Sequence, residues 1–300
     1  HLFKIIKFHK PKYLFLENVP NLLSHNNGKT WNFMKNQIKR LNYEVDQKVI
    51  SPIDFNIPQT RDRLYIVARQ SSLNNFEWPK KIKSLPSLKK FLISKPKIEK
   101  KLTDNKKKVF NFWKKFLNKI PKKTYLPNPL WTMEFGANYP YKTETPFATE
   151  YKKLKKCKGS FGQRLEGQNK DEIFENIPKY ARVKIKKFPN WKIRMIERSR
   201  NFYDKNKKWL DSLIPELIDL QHEAYQKLEW NCQGEEFSFR KKIITFRASG
   251  MRVKRNISSP TLIASSVTQV PYLPWKKRYM SHEECLNIQG FKGIKSYPEN

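Results

Sequence analysis

The sequence predicts an α/β protein: the rear half of a doubly wound sheet, joined to a large and mostly irregular α+β domain. Three observations carry this expectation. Over residues 1–78, helix-periodic and strand-periodic segments alternate, the pattern of strands tied by helices. From Glu77-Trp78-Pro79 onward that alternation is lost, and Pro79, Pro86 and Pro96 punctuate lysine-rich text. Periodic text returns near the end, from Arg278 to Phe291. The expected division is therefore 1–78, the back of an α/β domain, then 79–270, a second domain, then 271–300, a segment returning to the first.

Leu2, Phe3, Ile5, Ile6 and Phe8 crowd the first residues as the tail of a helix that packs on a sheet, and Pro11 ends it. A strand follows over Tyr13 to Val19, closing on Glu17-Asn18-Val19. A strand that stops on a carboxylate places an acid at the carboxyl edge of a sheet, where open α/β folds do their chemistry. Asn26-Asn27-Gly28 signals a turn, and Trp31, Met34, Ile38 and Leu41 then recur at helical spacing. Asn42 stands where a left-handed residue would end that helix. Tyr43 to Ile50 and Leu64 to Ala68 read as strands. Between them Asp54 to Arg63 forms a loop with a Pro58-Gln59 corner, and Arg61 and Arg63, two apart, would share one strand face.

In the second region the spacing predicts an amphipathic helix over 106–120 and another over 209–228, with Pro215 as a start or a kink. Trp131, Phe135, Tyr139, Tyr141 and Phe147 lie among prolines ahead of a cationic stretch, Lys152 to Lys158. Such aromatics suit either a core or a nucleic-acid surface. Arg247, Arg252, Lys254 and Arg255 surround Ser249-Gly250, which fits a phosphate-contacting loop and fits solvated surface charge equally well.

Composition narrows the partners. The formal net charge of +35 exceeds what solubility requires and points to a polyanion, nucleic acid before an anionic membrane. Only 14 of the 62 basic residues are arginine, so lysine supplies most of that charge. Cys157, Cys232 and Cys285 form no CxxC pair and no spacing with histidine that would hold zinc, so neither a disulfide frame nor a metal site is expected. No apolar run approaches the roughly eighteen residues that a membrane helix needs. A soluble, cytoplasmic protein is the expectation, and a chain opening on His1 reads as a truncated one.

Three segments in order resemble the C5-cytosine DNA methyltransferase family. Glu17-Asn18-Val19 resembles the family's strand-ending Glu-Asn-Val, and Gln59-Thr60-Arg61-Asp62-Arg63 its Gln-x-Arg-x-Arg. Arg278 to Glu284 with Leu286 to Phe291, ending Gln289-Gly290-Phe291, resembles its late Gln-Gly-Phe motif, with Met280 and His282 as departures. Thr261-Leu262 is similar to the Thr-Leu pair that closes the family's target recognition domain.

The resemblance implies a class I methyltransferase sheet, S-adenosylmethionine as cofactor, and methyl transfer to C5 of a cytosine flipped out of double-stranded DNA. It implies a restriction-modification setting, with a cognate restriction endonuclease that shares the system without touching this chain. By resemblance Glu17 is the carboxyl at the base, Arg63 the guanidinium that stabilises charge on it, and Arg61 a brace. Asn18 and Gln59 hold loop geometry, with Gln59 beside the DNA, and Arg252, Arg255, Thr261 and Arg278 are the remaining expected DNA contacts. The family's Gly-rich cofactor loop and Pro-Cys nucleophile motif are not in this sequence, and Cys232-Gln233 is no substitute, because it follows Glu17 and lies in the insert. The expected product is an internal piece without transfer activity of its own. The competing reading is a DNA-binding subunit or inactive relative that recognises DNA without methyl transfer.

Overall fold

The computed structural model describes residues 1–82, 86–121, 124–262, 269–291 and 293. They divide into two compact units. The first comprises His1–Lys95, Ile257–Thr261 and His282–Asn300; the second comprises Pro96–Asn256 and Leu262–Ser281. The first division falls after Lys95 instead of near residue 78, for a physical reason. The Ile82 amide donates to Asp54 O at 2.8 Å and the Ile93 amide to the Glu284 carboxylate at 2.7 Å, while Leu88 and Phe91 are buried. Chain beyond Trp78 thus still satisfies its backbone within the first unit.

The first unit opens with α1 (Leu2–His9), β1 (Tyr13–Asn18), α2 (Lys29–Arg40), β2 (Tyr43–Ile50) and β3 (Arg63–Gln70). Helix α1 stops at Lys10, whose left-handed backbone returns its N–H to Ile6 O one residue before Pro11. Helix α2 ends as its sequence predicts, with Asn42 at φ 65°. The sheet order is β1-β3-β2, with β3 antiparallel to both neighbours. Plain βαβ alternation would make every neighbour parallel. The connection from β2 to β3 carries only a short 3-10 turn, Pro52–Phe55, and no crossover helix, so the chain reverses direction and β3 slots between the two parallel strands.

Pleating then sorts the side chains. Leu14, Tyr43, Val45, Leu64, Ile66 and Ala68 join Ile6 of α1 and Trp31 and Ile38 of α2 in one core. The opposite face carries Tyr13, Phe15, Glu17, Arg63, Tyr65 and Val67, and Phe15 stacks on Tyr65 with centroids 5.6 Å apart. Phe15 is 69% exposed on that face.

The second unit contains α3 (Asp104–Lys119), β4 (Leu130–Trp131), α4 (Tyr151–Leu154), α5 (Lys170–Phe174), α6 (Asn190–Leu210) and α7 (Ile214–Asp219). There follow β5 (Lys227–Asn231), β6 (Lys242–Arg247), β7 (Gly250–Arg255), β8 (Tyr272–Leu273) and β9 (Arg278–Tyr279). The chain's last described helix, α8 (His282–Asn287), belongs to the first unit. The second sheet runs β4-β5-β7-β6-β8-β9. One of its faces, Leu228, Trp230, Ile244, Phe246, Met251 and Val253, packs with Phe112, Trp113 and Phe116 of α3 and Leu213 and Leu217 beside α7.

The helix expected over 209–228 is not continuous. Its leucine stripe ends at Leu220 because Gln221 turns left-handed at φ 57°, and Leu228 with Trp230 belongs to β5. The aromatics expected either in a core or on a surface are divided. Trp131, Phe135 and Tyr139 are buried, and Phe147 is 37% exposed.

Candidate active site

Glu17 leaves the sheet at the carboxyl end of β1, one residue before the strand stops, and faces away from the helix-packed core. Arg63 opens β3 and faces the same way, since Glu17 is cross-strand from Tyr65 and Arg63 lies two residues before it. The Arg63 Nε and Glu17 Oε1 are 2.5 Å apart. The side chains are 21% and 46% exposed respectively, so the pair is held but reachable from solvent. The Arg63 Nη1 also donates to Asp62 O at 2.8 Å. The Asn18 Oδ1 accepts from the Val19 amide at 2.8 Å, which fixes the turn immediately after the acid.

Arg61 does not share a strand face with Arg63, because β3 begins at Arg63 and Arg61 lies in the preceding loop, half-buried. That loop is clamped from a distant part of the sequence. Gln59 forms a parallel bridge with Ser259, the Ser259 amide donates to Pro58 O at 2.6 Å, and the Thr60 amide donates to Ser259 O at 3.2 Å. The Thr60 and Ser258 hydroxyls meet at 2.8 Å, and the Thr261 hydroxyl donates to Thr60 O at 2.7 Å. Gln59 is 4% exposed, and its Nε2 finds no hydrogen-bond partner among the described residues.

The geometry gives each expected DNA contact a partner or a place within the protein. Gln59 is buried in the loop. Thr261 gives its hydroxyl proton to a backbone carbonyl. Arg278 is 1% exposed inside the second unit, donating to Tyr279 O at 2.9 Å with Glu99 3.5 Å away. Arg252 is ion-paired to Glu229, its cross-strand neighbour, and Arg255 to Glu235 with a further bond to Gln233 O at 2.6 Å. Ala248 and Ser249 form the tight turn of the β6–β7 hairpin. Gly250, at φ +134°, is required there because a Cβ would sit 2.8 Å from Lys227 O. Of the Thr261 neighbourhood, Ile263 and Ala264 lie outside the described residues.

Motif reading also missed residues. Thr60, Ser258 and Ser259 hold the arginine loop, and no pattern links positions 198 residues apart. The same holds for Glu134 in the second unit. Its buried carboxylate accepts from the Tyr139 hydroxyl, the Tyr180 hydroxyl at 2.5 Å and Arg200 Nε at 2.8 Å.

The thiols are not activated. Burial raises Cys157 and Cys232 above the ordinary thiol range despite nearby cations, and burial next to Glu284 pushes Cys285 up to about 12. A nucleophilic cysteine needs the opposite environment.

The match with a known family is decisive. The family model for C-5 cytosine-specific DNA methylase covers residues 1–293. The chain belongs to that family. The proteins it resembles include the Type II methyltransferase M.HhaI of Haemophilus parahaemolyticus, 36% identical over 105 residues, which are 34% of this chain and 32% of the relative. M.HaeII of Haemophilus aegyptius is 41% identical over 90 residues, 30% of this chain and 28% of the relative. The matched segments thus span about a third of these relatives' length or less. Among solved structures, a DNMT2 variant from Spodoptera frugiperda overlays with a TM-score of 0.31 at 23% identity, covering 37% of this chain and 35% of that one. That score is too low to carry the fold, which rests on the sheet itself.

A methylase implies S-adenosylmethionine, and the described cleft of the first unit does not fit it. The cleft of about 850 Å³ in the first unit lies at the C-terminal ends of α1 and α2 and is lined by Lys7, Lys10, Lys39 and Arg40. Four cations against the single carboxylate of Glu44 are the wrong chemistry for a sulfonium. Among the described residues no three His, Cys, Asp or Glu side chains group as a metal site, and no helix is long and apolar enough to cross a membrane.

Proposed function

We propose that this chain supplies the base-holding rim and the target-recognition part of a DNA (cytosine-5-)-methyltransferase, and that it binds duplex DNA without transferring methyl groups by itself. The observation that carries the reading is the Glu17–Arg63 pair on one rim of the sheet. Cytosine presents N3 and O2 side by side, and a carboxyl group 2.5 Å from a guanidinium is spaced to meet both atoms of one edge.

Methyl transfer to C5 requires electron density to build on the ring, and this follows addition of a thiolate at C6. A carboxylic acid at N3 donates or shares a proton as that charge develops, which is general acid catalysis. A guanidinium at O2 stabilises the same charge and discriminates against bases lacking that edge. In the free chain the two groups bond to each other, so an entering base must replace that ion pair with its own hydrogen bonds. A stacked base cannot reach the rim, which is why the reading includes a flipped cytosine.

The thiolate must come from outside this chain, because each of its three thiols is pushed away from the reactive form. S-adenosylmethionine binding belongs to segments other than those described, and a restriction endonuclease acting on the same sequence would complete a Type II system. The test has two arms. Affinity for cytosine-containing duplex should fall steeply between 50 and 200 mM salt, roughly a thousandfold for six or more phosphate contacts. Incubation of the chain with labelled S-adenosylmethionine and duplex should leave the DNA unlabelled. A flat salt dependence sinks the duplex-binding reading, and robust labelling sinks the assignment of the nucleophile.

A further inference from the structure

Helix α6 runs 21 residues through the second unit, and its two sides differ in kind. On the inner side Ile196, Phe202, Tyr203 and Leu210 are buried. There too the buried Ser199 Oγ accepts from the Trp131 amide and the buried Arg200 donates to Glu134. On the outer side Trp191, Arg194, Arg198, Asn201, Lys205 and Lys208 are all exposed. Their spacing of three, four, three, four and three confines them to one stripe, about 100° wide and about 26 Å long.

Exposed charge on a helix is most often merely solvated, so its partners decide the matter. Elsewhere in the second unit Arg182, Arg200, Arg252, Arg255 and Arg278 each stand beside a glutamate. Arg194, Arg198, Lys205 and Lys208 form no ion pair among the described residues, and Glu197, the acid between the first two, is taken by Lys142. Four like charges along one face repel one another, and a polyanion laid along them relieves that repulsion.

The middle of the stripe borders a cleft of about 410 Å³, which Arg198, Asn201 and Lys205 share with Thr124 and Tyr125. Tyr125 is 65% exposed, and neither its hydroxyl nor the Asn201 amide has a hydrogen-bond partner among the described residues. Asn206, which also lines the cleft, is by contrast committed to Phe202 O and the Trp209 indole. The cleft thus offers two cations, an amide and a phenol as donors, the groups that meet phosphate oxygens.

We propose that the outer stripe of α6 is a docking surface for duplex DNA, with Arg194, Arg198, Lys205 and Lys208 at phosphates and Asn201 and Tyr125 donating to the same backbone. The proposal deepens the duplex-binding reading above and rests on it. It concerns the second unit alone.

The test measures duplex affinity of the full chain between roughly 50 and 200 mM salt for the stripe variant R194Q/R198Q/K205Q. A control, K107Q/K114Q/K152Q, removes the same charge from exposed lysines of the same unit that form no ion pair. Each phosphate contact contributes about 0.9 to the log–log slope, so the stripe variant should flatten it by roughly two to three and bind roughly tenfold or more weakly. The control should flatten it by less than about one and stay within about threefold of wild type. Should the triple variant melt early, R198Q alone carries the comparison, with a slope loss of about one.

Equal effects in the stripe variant and the control overturn the docking surface and leave the duplex-binding reading intact. Loss of binding to anionic vesicles in the stripe variant, with duplex affinity unchanged, assigns the stripe to a membrane and overturns it as well. A wild-type chain that does not bind duplex removes both readings.

Discussion

Two carboxylate–guanidinium pairs, one in each unit, have opposite designs. Glu17–Arg63 sits on an open rim at 46% and 21% exposure, with few other bonds. Glu134–Arg200 lies at 0% and 10% exposure, and Glu134 is also held by the Tyr139 and Tyr180 hydroxyls while the Arg200 guanidinium covers the Tyr139 and Tyr141 rings at 4.3 and 4.6 Å. Burial beside the Glu134 carboxylate drives the Tyr139 and Tyr180 hydroxyls well above their usual range, so both stay protonated donors. The first pair can exchange its partner for a ligand; the second cannot. Solvent access, not the presence of an acid and an arginine, separates chemistry from architecture.

The largest effect that sharpens this contrast is loss of one member of the buried pair. E134A or R200A should cost about 3–5 kcal/mol in urea unfolding followed through the second unit's tryptophans, because each strands an uncompensated charge. E17Q should cost under about 1 kcal/mol in the same measurement. If the chain is reconstituted with segments that supply nucleophile and cofactor, E17Q should nonetheless reduce methyl transfer by about 10²–10⁴-fold, the usual range for a lost general acid. An E17Q loss of stability as large as that of E134A would erase the distinction.

Thiol reactivity gives a smaller test. A raised pKa means the proton is retained, so alkylation should climb about tenfold per pH unit until the thiolate dominates. With Cys285 near 12, roughly one molecule in a thousand carries its thiolate at pH 9. Mass spectrometry after iodoacetamide at pH 8 should find Cys232, fully buried, unmodified until the protein unfolds. Rapid labelling of Cys232 in the folded chain would show an activated thiol and reopen the question of the nucleophile. The smallest expected effect is that of Q59M. Replacing a buried amide whose Nε2 has no described partner should leave stability within about 1 kcal/mol or raise it slightly, by thermal melt.

The same contrast explains what could be read from the chain alone. The β1 rim, the α2 stop at Asn42 and the three strands of the first unit are short-range features, written in periodicity and in residues a few positions apart. The antiparallel insertion of β3 was not legible, because it depends on the absence of a crossover helix in a twelve-residue loop, 51–62, that spacing alone reads as a turn. Neither was the Ser258–Thr60 clamp nor the Glu134 network, where polar side chains find each other across 198 and 66 positions. For Arg252, Arg255 and Arg278 the sequence showed charge but not the carboxylate beside it. The structure supplies Glu229, Glu235 and Glu99.

Strand β1 closes one side of the first sheet, so among the described strands its outward backbone groups meet no ladder partner. Such a border, with Phe15 standing open beside it, can pair with any strand brought to it, whether from the sheet's own front half or from another copy. Lys12 precedes the strand, and both Lys12 and Arg69 lie over the Tyr13 ring, at 5.8 and 5.6 Å. Positive charge at that margin, in a molecule carrying +35 overall, makes approach by another copy repulsive. Concentrated stocks should therefore stay clear in low salt and grow turbid as ionic strength screens that guard.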